Sequence, residues 1–306
     1  MGLTALAAGE LIHIYYDLMG RENKKFRSVM ALFEGKPPEG EEDVFGNFIK
    51  EKLKWINEQK TEKLYLTSNR GERLVGWLTC PQAKSRVFAV FAHGHHTDHN
   101  GDPANFMRYY IEKGYNFLTM DHVACGESEG KFCGFDYYES QDCLKWIDYL
   151  IERFGEDIKI IIHGVSMGGS TVCQMASRVP PQVKLAVADC PFAGAIDEFA
   201  DAAKGAGVTL PKAVINVFNG INKALAGFDL KDTDVRRSVQ SSRVPMLFVH
   251  GDSDTLIPIK TCLELYKLCT AEKEMFIVEG AKHAQSVVVN EGGYHKKLDE
   301  FIGKYL

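Results

Sequence analysis

Residues 159–170, Lys-Ile-Ile-Ile-His-Gly-Val-Ser-Met-Gly-Gly-Ser, constrain this chain more than any other stretch. The apolar run at 160–162 reads as a short strand buried on both faces. Gly164-Val165-Ser166-Met167-Gly168 follows, and small residues then open a helix. This is a Gly-x-Ser-x-Gly pattern between a strand and a helix. A serine on so tight a turn takes strained backbone angles, and glycines on either side let neighbouring backbone approach. The turn lifts the Ser166 hydroxyl clear of the sheet. The helix after it aims unpaired N–H groups at the same place.

A chain of 306 residues has room for one large α/β domain or two smaller ones. The net charge of −5 is mild and gives no reason to expect nucleic acid as a partner. Eight cysteines are scattered from Cys80 to Cys269 without a Cys-x-x-Cys pair, which argues against zinc ribbons and fits reduced thiols in a cytoplasmic protein. Glu10, His13 and Asp17 interrupt the apolar start, and no basic flank precedes it. No secretory signal or integral membrane segment is expected there, but an amphipathic helix packed on the body.

Residues 3–33 read as one or two helices, 35–40 as a Gly/Pro break, and 41–59 as an amphipathic helix. The apolar stripe of this last helix is Val44, Phe45, Phe48, Ile49, Leu53 and Ile56. Together, residues 1–60 form an N-terminal helical extension, and 61–306 the main domain. From residue 63 the period changes to two. Segments 63–67 and 74–79 read as a hairpin around Asn69-Arg70-Gly71. Strands are then expected at 87–92, 116–120, 160–162, 184–188, 246–250 and 275–278. Helices are expected between and after them, at 105–113, 137–154, 169–177, 259–268 and 294–305. Such alternation means right-handed crossovers and a mostly parallel central sheet flanked by helices. Sites in these sheets lie at the carboxyl ends of the strands. His93, Asp121, Ser166, Asp189, Asp254 and His283 all follow strands.

Residues 192–243 are too long for a single crossover. They carry helical patterns at 196–203 and 211–226 and read as a helical lid over that carboxyl edge. Phe199, Val217, Phe218 and Leu225 in it suit an apolar substrate group, or equally the packing of the lid itself.

A serine hydroxyl needs a base, and the base needs a third group to hold its tautomer. His250-Gly251-Asp252-Ser253-Asp254-Thr255-Leu256-Ile257-Pro258 follows one strand and offers two acids; Glu279-Gly280-Ala281-Lys282-His283 follows the last and offers a histidine. With these motifs in order, the chain resembles the α/β-hydrolase superfamily, in particular bacterial serine-aminopeptidase-like hydrolases and esterases. The resemblance runs from about residue 64 to the end. It implies an α/β-hydrolase fold and a serine hydrolase working through an acyl-enzyme. Ser166 is then the nucleophile, and the Gly-x-x-Asp-x-x-(Val/Ile)-Pro element places the acid at Asp254. The Gly-x-x-His element makes His283 the base. Asp252 or Asp189 remain alternatives for the acid, with Asp254 then bracing its own turn. His93-Gly94 matches the oxyanion loop, so the expected oxyanion donors are the backbone N–H groups of His95 and Met167. Asp121 and Ser128 are expected to be structural. His96, Val165, Phe192 and Phe218 are the expected substrate-binding residues.

The cluster His93-Gly94-His95-His96-Thr97-Asp98-His99 has zinc-ligand chemistry. Its register, however, fits no His-x-His-x-Asp-His site. Either Gly94 falls where the first histidine must be, or Thr97 falls where the aspartate must be. The expectation is therefore hydrolysis of a small-molecule ester, or of a peptide-like substrate by the same machinery, with no metal or organic cofactor. A metal-dependent hydrolase using the histidine cluster, and a catalytically silent binding protein, are the competing readings.

Overall fold

The computed structural model describes residues 2–21, 44–81, 85–205 and 207–306. The Gly/Pro break at 35–40, and the parts of the two N-terminal helical patterns within 22–43, lie outside them. Helix α1 is Gly2–Met19 and α2 is Val44–Asn57. The hairpin strands are β1, Thr61–Thr67, and β2, Arg73–Thr79. There follow β3, Val87–Ala92; α3, Ala104–Glu112; β4, Asn116–Asp121; α4, Tyr137–Phe154; β5, Lys159–Val165; and α5, Met167–Met175. The second half runs β6, Val183–Asp189; α6, Ala195–Gly205; α7, Lys212–Leu225; α8, Arg236–Gln240; β7, Met246–Gly251; α9, Ile259–Leu268; β8, Lys273–Val278; α10, Ser286–Val289; and α11, Glu291–Tyr305.

The described strands form one eight-stranded sheet in the order β1-β2-β4-β3-β5-β6-β7-β8. The β1–β2 and β2–β4 pairs are antiparallel, and every other pair is parallel. β5 therefore lies near the middle, between β3 and β6, and strand polarity alone brings the ends of β3 to β7 to one edge.

Alternation sorts the sheet residues into two cores. Phe88, Val90, Leu118, Ile160, Ile162, Ala186 and Phe248 face Trp146, Ile147 and Leu150 of α4, with Val172 of α5 and Leu265 of α9. Ala89, Phe91, Phe117, Ile161, Leu185, Val187 and Leu247 face Phe106 and Tyr110 of α3 and Leu298 and Phe301 of α11. α2 joins this second side, with Trp55 and Ile56 packed against it. A third cluster lies at the carboxyl edge. It combines Tyr15 and Met19 of α1, Phe135, Met167, Phe192, Phe218 of α7, Phe228, Leu256 and Ile257.

The observed helix α5 starts two residues before the expected 169, directly at the residue after Ser166. The glycines at 168 and 169 disguised its first turn, since glycine is a poor helix former. Three short elements went unseen in the sequence: the 3₁₀ turn Leu230–Thr233, α8 and α10. None is long enough to show a period. No described helix is long and apolar enough to cross a membrane.

Candidate active site

Ser166 sits between β5 and α5 at φ 56° and ψ −120°, a positive-φ conformation that costs a non-glycine residue energy. Three glycines make the turn sterically attainable. A Cβ on Gly164 would strike the Gly168 carbonyl, one on Gly168 the Ala92 carbonyl, and one on Gly169 the Asp189 carbonyl. The Ser166 N–H donates to the Asp189 carbonyl at 2.9 Å, which pins the turn to β6. The first N–H groups of α5, that of Met167 among them, have no acceptor within the helix.

His283 Nδ1 lies 2.8 Å from Asp254 Oδ2, and His283 Nε2 lies 2.9 Å from Ser166 Oγ. An ionised carboxylate only accepts, so in the neutral ring the proton is on Nδ1 and Nε2 accepts from the serine hydroxyl. Asp254 is buried, and its other oxygen accepts the Leu256 and Ile257 N–H groups at 3.0 and 2.9 Å. The buried His250 ring approaches Oδ2 at 3.4 Å. Burial alone would raise the Asp254 carboxyl. The charge and hydrogen bonds of His283, joined by those of His250, more than reverse this and hold it well below the usual carboxylate range. For His283, burial pulls the imidazole down, while Cys190 and Asp254 push it up, and the net position is well above 6.5. Burial also pushes the Cys190 thiol up to about 12, so that thiol is uncharged near neutrality. Asp254 is then the group that raises His283.

The loop after β3 reaches this point from the other side. A Cβ on Gly94 would come within 3.4 Å of Ser166 Cβ. His93 is fully buried; its Nε2 accepts the His122 N–H at 3.0 Å, which leaves Nδ1 to donate to the Gly94 carbonyl at 2.7 Å. Gly94 N–H donates to Asp102 at 2.6 Å. The orientation of the Gly94–His95 peptide is thereby fixed. In a trans peptide the His95 N–H points opposite to the Gly94 carbonyl, away from His93.

The remaining histidines of the cluster diverge. His95 Nε2 meets the Leu18 carbonyl of α1 at 2.8 Å, and His99 bonds Asp121 at 3.0 Å while stacking on Trp77. His96 is buried at φ 54°, its ring 3.9 Å from that of His95. Asp121 also accepts the Glu127 N–H at 2.6 Å, and Ser128 Oγ donates to the Asp121 carbonyl at 2.6 Å, so both residues hold loops. Asp252 accepts the Gly280 N–H at 2.8 Å and braces the β7 and β8 loops. The Asp189 carboxylate accepts from the Tyr294 hydroxyl at 3.0 Å.

Phe192 and Phe218 are brought to the edge cluster, although both are largely buried there. Ser170 Oγ anchors Phe192 by accepting its N–H at 2.8 Å and donating to its carbonyl at 3.0 Å. Val165 is not brought to the site, because its side chain packs into the core under α3 and α11. Sequence reasoning missed Leu18, His250, Cys190 and Glu198. Glu198, on α6, lies within electrostatic reach of His283 and Asp254. Burial pushes its carboxyl up to about 8, against the lowering pull of His283. A position on a surface helix carried no signal of this.

Two family models match in succession: "Serine aminopeptidase, S33" over residues 83–226 and "Serine hydrolase (FSH1)" over residues 222–284. The protein YqkD of Bacillus subtilis is 29% identical over 199 residues, which is 64% of this chain and 65% of that one, just under two thirds of its length. An esterase of Pyrococcus furiosus superposes with a TM-score of 0.65 at 20% identity, covering 83% of this chain and 92% of its own. An acylaminoacyl peptidase of Pyrococcus horikoshii gives 0.59 at 16% identity, covering 82% of this chain and 43% of its own. At such identities the two structures speak for the fold alone, and the family models and the sheet agree with it. The chain belongs to the α/β-hydrolase superfamily.

Proposed function

We propose that the protein hydrolyses a carboxylic ester of a small molecule through an acyl-enzyme formed on Ser166. One observation carries this reading: the unbroken path of 2.9 and 2.8 Å from Ser166 Oγ through His283 to Asp254. His283 Nε2 takes the serine proton as Oγ attacks the acyl carbon, and Asp254 stabilises the imidazolium that forms. The oxyanion develops opposite the Met167 and His95 N–H groups, which are fixed before substrate arrives. His283 then returns the proton to the leaving alcohol. In the second half it deprotonates water, and the hydroxide releases the acid and frees Ser166. Residues 192–243 serve as the lid, and Phe192 and Phe218 as part of the apolar wall beneath it. These steps require no metal or organic cofactor.

The test is a panel of aryl esters of varied acyl length on the wild type and Ser166→Ala. The variant should keep its fold and lose about 10⁴-fold or more in kcat. A fluorophosphonate should label Ser166 in the wild type alone. Full activity of the alanine variant would sink the proposal.

Glu198 favours a second reading, in which the same machinery cleaves an aminoacyl substrate. A carboxyl within electrostatic reach of the reacting centre suits an ammonium group, and binding that cation would draw the carboxyl to its charged form. Glu198→Gln should then lower kcat/KM for aminoacyl anilides about tenfold or more while sparing neutral aryl esters. Equal effects on both substrate types would remove this second reading.

A further inference from the structure

β6 ends at Asp189, and the next residue, Cys190, is buried at a left-handed φ of 40°. Its N–H is tied to the Val249 carbonyl at 2.9 Å, and its thiol faces the His283 ring. Cys190 Sγ, an Asp254 carboxylate oxygen and a His283 ring nitrogen all lie within 4.8 Å of one another. Among the described residues this is the one group of three or more such side chains close enough to share an ion. The histidine-rich loop after β3 does not form one.

Thiolate, imidazole and carboxylate are the donor types that zinc accepts. Metal–ligand bonds of about 2.0–2.3 Å put tetrahedral donors about 3.3–3.8 Å apart, so the present spacing closes on an ion with shifts of about an ångström. The two anionic ligands cancel the charge of a divalent ion, as a buried site requires. The His283 side chain, 14% exposed, gives the ion a way in.

We propose that Cys190, Asp254 and His283 form an inhibitory site for zinc or a similarly thiophilic divalent cation. The binding stands on this geometry alone, whereas its effect on turnover rests on the proposed function. The coordinating nitrogen is Nδ1, since Asp254, which shares the ion, lies on that side of the ring. On binding, the thiol releases one proton to solvent and a sulfur–metal bond forms. The ring proton leaves Nδ1, whose lone pair now holds the metal, and the neutral ring carries it on Nε2. An Nε2–H donates to Ser166 and cannot accept its proton. The base is thereby switched off without the substrate pocket being filled.

Metal-free full-length wild type, Ser166→Ala, Cys190→Ala and Cys190→Ser are titrated with zinc chloride against a chromogenic chelator. Wild type and Ser166→Ala should bind one equivalent, and both Cys190 variants should bind about tenfold or more weaker. Zinc should slow fluorophosphonate labelling of the wild type, and magnesium, a poor thiolate partner, should not. Cys190→Ser keeps the shape of the buried site if the alanine variant does not fold. Wild-type affinity in the Cys190 variants, loss of binding only on His96→Ala or His99→Ala, or no binding at all would overturn the proposal. Failure of the serine hydrolase reading would show instead as an unlabelled Ser166, with the chelator titration unaffected.

Discussion

At the scale of single residues, Asp254 shows how one carboxylate is kept charged where burial would neutralise it. Two backbone N–H groups and the His283 ring saturate its oxygens. It returns the favour by raising His283, so in the proposed mechanism kcat/KM should climb with pH above the free-imidazole value of about 6.5. Asp254→Asn removes that charge and leaves an amide that offers the wrong hydrogen bond to Nδ1. The expected outcome is a fall of about 10³–10⁴-fold in kcat, with the acid limb of the remaining activity moved to lower pH. A pH–rate profile of the two proteins checks both. A limb that stays in place would mean that Asp254 does not set the His283 pKa. Ser166, Asp254 and His283 were legible because each follows a strand within a short local motif. Cys190 and Glu198 were not, because their approach to His283 arises from packing between distant segments, and neither has a spacing that announces it. Val165 shows the same limit from the other side. Adjacency to Ser166 in sequence does not bring its side chain to the reacting face, since successive strand residues point to opposite sides.

At the scale of elements, α1 is where the structure adds most. Its residue pattern predicts a helix lying on the body, and nothing in it points to a partner. In the structure its last turn meets the loop after β3, through the Leu18 carbonyl and His95. Tyr15, fully buried, donates to Asn222 of α7 at 3.0 Å and packs its ring 5.3 Å from Phe218 and 5.4 Å from Phe132. One helix thus ties the expected oxyanion loop to the insertion above it. Tyr15→Ala would remove a buried aromatic and leave Asn222 without that donor. It should cost about 3–5 kcal/mol in urea unfolding if α1 stays docked. If α1 detaches instead, the loss in global stability is smaller and ester turnover falls, because His95 loses the contact that holds its ring. Neither a stability loss nor a turnover loss would show that α1 is not coupled to the site. The main strands and long helices were legible from their periods. The three short elements in 230–240 and 286–289 were not, since four or five residues cannot display a period.

At the scale of the whole molecule, the sheet order could be read only in part. Alternating strands and helices implied a parallel sheet, but the neighbours of β5 are set by crossovers that leave no mark in sequence. One consequence of that topology is a buried polar chain beneath the Ser166 turn. Tyr110 of α3 meets His163 Nδ1 at 3.0 Å, His163 Nε2 meets the Tyr294 hydroxyl at 3.1 Å, and that hydroxyl reaches Asp189 at 3.0 Å. Asp189 in turn holds the Ser166 N–H through its carbonyl. Burial lowers the His163 imidazole to about 3. In the unfolded chain it titrates near 6.5, so below that pH the unfolded state binds a proton that the native state refuses. Stability from this group is fully present above about 6.5 and is lost as pH falls toward about 3. Glu139, raised to about 7 by burial, and Asp142 and Asp189, raised to about 6, act in the opposite sense and lose stability as pH rises through those values. The total pH profile therefore mixes both signs, and the comparison of His163→Asn with wild type separates them. The variant is expected to be less stable near neutrality. Its loss of stability between pH 6 and 4 should be shallower by up to about 1.4 kcal/mol per pH unit, the slope of one proton. Urea midpoints across that range read the difference. Parallel slopes in the two proteins would mean that His163 takes up its proton in the native state, and that the chain from Tyr110 to Asp189 opens to admit it.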